Sequence, residues 1–452
     1  MAFGFFKKTQ AADIIFHNGQ IYTHDPDFPW AEAVACTDGK ITAVGDFDAM
    51  DSFQGKHTQL VDLQGRFMFP GLIDVHSSPA MKVFEEKYID LTECTSTEDI
   101  LKKVKAWAKS HPKDEIIFGY GFREDLDPEP AQLDACCSDR PVVLLAASGI
   151  GCAVNTLSDQ IIQETAEEEC VEIITVSYVL NLLMPFDFEE IEAAVKDSMK
   201  DQASRGITTV LNQQTPDYFE SLYQDSMVAL FNEEQLLQRF YGSYFMNRPL
   251  QPRGLINVMM GRKTNCSELN GLVQANMLGV YLEQKTCPMN FPQEALDHIL
   301  LDVADRGFHI FMEAVDQEDV MKAYQTLELL RNKGYKNAVT IASDTVIPEE
   351  LLQTLEHVED VYTTWPTALS QTQGMASRCT SAEGMLDEMT IHAAKMIGME
   401  DHLGMIEKGR LADFTVFAAN PLEGTPQQFA AMKADMTIVN GEVVYDRNLS
   451  NN

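Results

Sequence analysis

The segment Phe69-Pro70-Gly71-Leu72-Ile73-Asp74-Val75-His76-Ser77-Ser78-Pro79 decides the fold. It contains a Pro-Gly turn, followed by a short apolar run that ends in Asp-x-His. This pattern is typical of the first strand of a parallel barrel, whose C-terminal end carries polar side chains into the mouth. Because side chains alternate along a strand, Asp74, His76 and Ser78 are predicted to lie on one face.

Helical and extended patterns alternate through the middle of the chain. Residues 96–110 place apolar side chains at helical spacing after a Ser/Thr-rich start, and residues 115–121 follow as a strand. Further extended segments are predicted at residues 141–147, 206–211, 254–260, 279–282, 307–311 and 337–341. This repeated alternation predicts a parallel barrel with helices around it.

Both ends of the chain are rich in short strands. Residues 13–65 contain apolar segments separated by turn signals, and residues 412–445 contain apolar runs on both sides of Asn440-Gly441, a strong hairpin signal. We therefore predict an α/β protein with two parts. They are a TIM-like (β/α)8 barrel at residues 69–403 and a small composite β-sandwich domain built from residues 1–68 and 404–452.

The composition limits the classes of partner. The 452 residues include 34 Lys and Arg but 69 Asp and Glu, so the formal net charge is −35. Such an acidic protein is repelled by nucleic acid and by anionic membranes. The nine cysteines form no Cys-x-x-Cys pair, and residues 1–10 lack the apolar core of a signal peptide. We therefore predict a cytoplasmic protein with reduced thiols that binds neither nucleic acid nor membranes.

Two stretches resemble the amidohydrolase superfamily. The first is Pro70-Gly71 with Asp74 and His76, and the more specific one runs from Thr390 through Gly409-Arg410-Leu411-Ala412-Asp413-Phe414. The branch with the nearest resemblance is that of the formamide-deformylase-like enzymes, in amidohydrolase family 3. The resemblance implies hydrolysis of non-peptide carbon–nitrogen bonds by a water molecule that zinc or another divalent metal activates. It also implies a possible homodimer.

The chain departs from this family where the resemblance places metal ligands and catalytic groups. The family's second histidine of the first strand is Ser78 here, and Ile150 replaces the histidine of an Asp-Gly-His turn. Tyr281 replaces a metal-bridging lysine. Further along the chain, Phe311 and Glu313 occupy the positions of a His-x-His pair, and Ala342 occupies the position of a further histidine. Arg378 lies near the position of the expected general-base aspartate. So many losses together predict that the chain binds no metal and uses no cofactor.

Three hypotheses about function remain open. In the first, the chain has lost metal-dependent hydrolysis and survives as a small-molecule-binding or regulatory pseudoenzyme. In the second, it is an active hydrolase with an atypical site, where His76 and a buried Glu313 act as catalytic groups. In the third, side chains fill the mouth and the chain is a scaffold without a pocket. The residues predicted to line a pocket are Asp74, Ser78, Asn212, Tyr281 and Arg378, and Arg378 is suited to binding a carboxylate ligand.

Overall fold

The chain folds into two compact units. The computed structural model describes residues 10–77, 79–83, 88–147, 151–171, 174, 176–183, 188–212, 217–246, 252–266, 269, 271–282, 293–314, 317–343, 361–364, 375–376 and 379–450. The first unit comprises Met1–Ser77, Met199–Gln213 and Glu234–Asn452, and the second comprises Ser78–Ser198 and Gln214–Glu233. The domain boundaries predicted after residues 68 and 403 stay a prediction.

The N-terminal strands of the first unit belong to two sheets. The strands are β1 Ile14–His17, β2 Gln20–Tyr22, β3 Trp30–Ala31, β4 Ala33–Thr37, β5 Lys40–Gly45, β6 Gln59–Asp62 and β7 Phe67–Pro70. A four-stranded sheet has the order β5-β4-β1-β6, while β7, β2 and β3 join a larger sheet. Asn18 closes the turn after β1 with a φ of +56°, which asparagine tolerates better than most residues.

The second unit follows the first barrel strand, β8 Leu72–Ser77. Its strands are β9 Ile89–Asp90, β10 Ile117–Phe122, β11 Val142–Ala146 and β12 Cys152–Val154, in a sheet of order β12-β11-β10-β9. Its helices are α1 Thr97–Ser110, α2 Pro130–Asp134, α3 Thr156–Glu168, α4 Val176–Leu183, α5 Phe188–Ser204, which ends in the first unit, and α6 Asp217–Asn232. The segments predicted at residues 115–121 and 141–147 are therefore strands, but they do not belong to the barrel sheet.

In the described part of the chain, seven parallel strands form the barrel sheet, in the order β18-β17-β16-β15-β14-β13-β8. The later strands are β13 Ile207–Asn212, β14 Arg239–Met246, β15 Val273–Tyr281, β16 His309–Ala314, β17 Val339–Ser343 and β18 Val361–Thr364. Helices α7 Pro252–Cys266, α8 Gln293–Asp305 and α9 Gln317–Asn332 lie between them in sequence. This arrangement confirms the predicted TIM-like α/β fold.

One predicted barrel strand is wrong. Residues 254–260 belong to helix α7, while the strand of this repeat is β14, which the sequence pattern did not reveal. The helix buries Ile256 and Met259 against the barrel core, three residues apart as on one helical face. Short apolar runs cannot be assigned to a helix or a strand by periodicity alone, which explains the error.

The C-terminal part completes the composite sheet. Its helices are α10 Ala382–Asp387, α11 Ala393–Met396, α12 Pro426–Ala431 and α13 Arg447–Ser450, with a π-helical turn at Glu388–His392. Its strands are β19 Phe414–Phe417, β20 Met436–Val439 and β21 Glu442–Asp446. They join the N-terminal strands in a six-stranded sheet of order β21-β20-β19-β7-β2-β3. The prediction that strands from both termini build one sheet domain is confirmed.

A buried ion pair joins the barrel sheet to the composite sheet. Arg239, the first residue of β14, donates from Nε to Asp413 Oδ2 at 2.6 Å and from Nη2 to Asp413 Oδ1 at 3.0 Å. Both side chains are 1% exposed. Nη2 also donates to Asn440 Oδ1, and the backbone N–H of Gly71 donates to the Asp413 carbonyl. Asp413 therefore binds the start of two barrel strands and the β20–β21 turn.

We expect Asp413→Asn to lower the free energy of unfolding by about 3–5 kcal/mol, because it leaves a buried guanidinium without a counter-charge. Urea denaturation followed by circular dichroism measures the change. Asp302→Asn is the matched control. It removes a carboxylate from the exposed pair with Arg306, whose partners are 40% and 43% exposed, and should cost less than about 1 kcal/mol. Equal losses in the two variants would contradict the anchoring role of Asp413.

Candidate functional site

The C-terminal ends of three neighbouring barrel strands bring three predicted site positions side by side. The strand register pairs Tyr281 with Glu313, and Glu313 with Ala342. These residues stand where the sequence resemblance places a bridging lysine and two histidines. In parallel barrels this end of the strands forms the mouth. The three positions therefore form one row, which we call the mouth row, with a single carboxylate at its centre.

Below the mouth row, the barrel interior is packed with apolar side chains. Phe311 is 1% exposed and belongs to a cluster with Leu211, Tyr241 and Met277. Its strand neighbours Ile310 and Met312 instead pack in the cluster that contains the helix side chains. Alternation along β16 thus points Phe311 and Glu313 to the interior face. The place of the first histidine in the family's His-x-His pair is therefore part of a hydrophobic core.

Glu313 and Asn212 are buried polar residues at the ends of their strands. Glu313 is 8% exposed and Asn212 is 2% exposed. The Glu313 carbonyl accepts from the Leu282 N–H at 2.9 Å, and the Asn212 carbonyl accepts from Ser243 Oγ at 3.0 Å. These backbone contacts fix the strand ends. Burial of Glu313 meets the condition on which its suggested catalytic role depended, and that role stays a prediction.

The pairing of the first barrel strand with β13 is irregular towards the end of the strand. Ile73 and Val75 both belong to the interior cluster. The register with β13 shifts between Asp74 and Ser77, where three steps along β8 face two along β13. Ser77 Oγ then accepts a hydrogen bond of 2.6 Å from Gln202 of helix α5. The shift falls within the stretch for which a common face of Asp74, His76 and Ser78 was predicted, and that common face stays a prediction.

Several predicted site residues cannot be placed by their side chains. The backbone of His76 lies in β8 and that of Tyr281 ends β15, but both side chains lie outside the described residues. Ser78, Ile150 and Arg378 lie outside them entirely. Their predicted roles as catalytic or pocket-lining residues stay predictions. Asp74 is half-buried within β8.

The described residues at the mouth row offer few side chains that can bind a metal. A catalytic zinc site needs several His, Cys, Asp or Glu ligands that converge from different strands. Within the described ranges, no three such side chains come close enough together to hold a metal ion. In the mouth row, Ala342 has no donor atom, and Phe311 below it lies in apolar surroundings.

Besides His76, His309 also lies in a barrel strand, and it is a structural residue. It begins β16, at the end of the strand opposite to the mouth row. Its Nδ1 accepts from the Ala338 N–H at 3.1 Å, which requires this nitrogen to be unprotonated. Burial and the positive charge of Lys263 lower the pKa of the ring. A close approach by Gly398, where any Cβ would collide with the imidazole, completes its packing.

The amidohydrolase family model, Amidohydro_3, matches residues 59–361 and 360–445. The chain belongs to this family. The exoenzymes regulatory protein AepA of Pectobacterium carotovorum is 31% identical over 152 residues, which are 31% of this chain and 32% of AepA. The N-substituted formamide deformylase of Arthrobacter pascens is 24% identical over 147 residues, which are 31% of this chain and 27% of that enzyme. These matches span about a third of each relative's length or less, and they confirm the predicted resemblance.

Solved structures confirm the fold over nearly the whole chain. An uncharacterised metal-dependent hydrolase from Pyrococcus horikoshii OT3 superposes with a TM-score of 0.63 at 14% identity, covering 91% of this chain and 99% of its own. A mutant of the atrazine chlorohydrolase TrzN from Arthrobacter aurescens TC1, in complex with zinc and atraton, has a TM-score of 0.55 at 15% identity, covering 96% and 95%. At such identities the likeness establishes the fold alone. No helix in the described part of the chain is both long and apolar enough to cross a bilayer.

Returning a histidine to position 311 should destabilise the protein. We expect Phe311→His to lose about 1–3 kcal/mol of unfolding free energy, because a buried imidazole without partners replaces an apolar ring. Phe311→Leu, which keeps the site apolar, should lose about 1 kcal/mol. Thermal unfolding with and without zinc measures both effects. A large rise in the melting temperature of Phe311→His on adding zinc would show that other ligands are already in place.

Protonation of His309 should weaken the fold below neutral pH. Because the folded-state pKa is lowered from its ordinary value of 6.5, the neutral ring stabilises the fold above that pH. This contribution is lost as the pH falls through and below that value. Urea unfolding between about pH 7 and pH 5 should show a smaller pH dependence in His309→Asn, whose amide oxygen can still accept from Ala338 but does not titrate. Identical pH profiles for both proteins would contradict this role.

Proposed function

We propose that this amidohydrolase-fold chain has lost metal-dependent hydrolysis and acts as a small-molecule-binding or regulatory protein. The observation that carries the proposal is the position of Phe311, which lies in an apolar cluster where the family's barrel has a histidine. The mouth row beside it contains Tyr281, Glu313 and Ala342. A pseudoenzyme of this kind retains the fold of its family but has other residues at the positions of the metal ligands.

The chemistry of the family supports this interpretation. Hydrolysis by a metal-bound water requires the ion both to lower the pKa of the water and to polarise the scissile carbonyl. A neighbouring side chain can compensate for a single missing ligand. Here the changes fall on several strands at once, so that compensation at one strand does not rebuild a coordination sphere.

Buried polar groups at the barrel mouth support the proposed binding of a small molecule. Glu313 and Asn212 are buried polar side chains at strand ends, and ligands in barrels bind at this end. The sequence predicts Asp74, Ser78, Tyr281 and Arg378 as further pocket residues. The relative AepA is itself named as a regulatory protein of exoenzymes, which supports a regulatory role.

We further propose a cytoplasmic location, possible homodimers, and no binding to nucleic acid or membranes, on the basis of the charge and the family resemblance.

A second candidate function is an atypical hydrolase acting on non-peptide carbon–nitrogen bonds. The burial of Glu313 favours it, because a carboxyl group shielded from water is a suitable general acid or base. His76 would be the second catalytic group. This candidate requires turnover that depends on both residues.

Elemental analysis of untagged protein, purified without chelator or nickel resin, separates the two candidates. We expect zinc, iron and manganese far below one equivalent per chain, and the same result for His76→Ala, because the described barrel residues supply too few ligands. Near-stoichiometric metal that disappears in His76→Ala would contradict the proposal. Hydrolysis of N-formyl compounds or cyclic amides that is lost in both His76→Ala and Glu313→Gln would establish the second candidate.

A further inference from the structure

An aromatic tip lies exposed at the edge of the composite sheet. We define it as Phe28, Pro29 and Trp30, where strand β3 begins. Phe28 is 45% exposed and Trp30 is 38% exposed. The other large exposed apolar residues of the described chain are Leu60, Ile174, Met321, Val443 and Leu449, none of which has another within three residues in sequence. Two exposed aromatic rings close together indicate an interaction surface more strongly than a lone side chain does.

Hydrogen bonds hold the aromatic tip in a fixed shape. The Thr23 N–H donates to the Pro29 carbonyl at 3.0 Å, and the Phe28 N–H donates to the Asp25 carbonyl at 3.2 Å. The Trp30 and Tyr22 rings pack in a T-shaped arrangement, with ring centroids 5.1 Å apart. A partner that binds the tip therefore meets a preformed surface, and little conformational entropy is lost on binding.

The surroundings of the tip are acidic. Asp25 and Asp27 precede Phe28, and Glu32 follows Trp30. Asp27 and Glu32 are exposed. Between residues 9 and 39 the chain has no Lys or Arg at all. The tip thus combines aromatic rings with negative charge.

This combination decides between the possible occupants. Two copies that met through the tip around a two-fold axis would bring Asp27 and Glu32 towards their own counterparts, in a chain whose net charge is already −35. Nucleic acid and anionic lipid carry the wrong sign. A cationic side chain, by contrast, is attracted both by the carboxylates and by the face of an indole ring.

We propose that the aromatic tip is the docking site for a partner protein, which binds through a segment rich in Arg or Lys with apolar residues between them. Trp30 receives a cationic side chain, Phe28 is covered by an apolar one, and Asp27 supplies the opposing charge. This interaction does not depend on the barrel mouth or on any catalytic activity.

A fluorescein-labelled peptide of alternating Arg and Leu is the probe, and fluorescence anisotropy measures its binding to the full chain. Phe28→Ser should weaken binding about tenfold, as expected for loss of an aromatic anchor. Asp27→Asn should weaken it about threefold at low salt and less at high salt, because it removes one exposed charge. Met321→Ser is the matched control. Met321 is 44% exposed on helix α9, close in sequence to the acidic residues Glu318 and Asp319, and its replacement should leave binding unchanged.

Two results with the same variants would contradict the proposal. If Phe28→Ser and Met321→Ser bind the peptide equally well, the attraction is a general effect of net charge and the tip is not the site. If the wild-type chain does not bind the peptide and light scattering shows a dimer that Phe28→Ser dissociates, the tip joins two copies instead. Far-UV circular dichroism confirms that each variant is folded. Because Phe28 is half exposed, its replacement should leave the core intact.

Discussion

The ion pair between Arg239 and Asp413 is the constraint on which the rest of the first unit depends. Two charges that are 1% exposed are tolerated only when they satisfy each other and their remaining hydrogen-bonding capacity. Asp413 does so by binding the guanidinium through both oxygens while accepting from the Asn440 N–H and, through its carbonyl, from Gly71. The barrel strands β8 and β14 and the C-terminal strands are thereby held in one arrangement. An apolar pair could supply similar burial, but it would not fix the direction and register of these three segments.

This anchor lies at the opposite end of the barrel from the mouth row, and the separation has a functional consequence. Arg239 begins β14, whereas Tyr281 and Glu313 stand at or near the ends of their strands. In barrels of this type the N-terminal face maintains stability and the C-terminal face carries the chemistry. The ligand positions can therefore change without loss of the fold. Phe311 adds apolar area to the interior cluster below the mouth row, which stabilises the barrel.

The fold class followed from the sequence because its two strongest signals are local. The Pro-Gly turn before β8 and the Ala-Asp-Phe motif before β19 each mark the start of an apolar strand, and the structure has strands at both places. It was harder to predict which sheet each strand joins. Strands β10 and β11 have the same buried apolar pattern as a barrel strand, yet β10 pairs with β9 and β11, and β11 pairs with β10 and β12. Pairing is decided by tertiary contacts that a strand's own residues do not specify. The Arg239–Asp413 pair was missed for the same reason, although a charged residue directly before an apolar strand was a usable signal.

The candidate site shows the same division between what is local and what is not. Strand parity was enough to place Phe311 and Glu313 on one face, because β16 is regular and its pairs with β15 and β17 keep one register throughout. At β8 the register with β13 shifts between Asp74 and Ser77, so strand alternation alone does not decide the face. A bulge arises from the mismatch between neighbouring strands, so it cannot be deduced from the strand that contains it. The residues of β16 can thus be assigned to one face of the sheet from sequence alone. The face on which His76 lies depends instead on how β8 pairs with β13. The distinction matters for function, since His76 matches a histidine that the family resemblance places in the mouth.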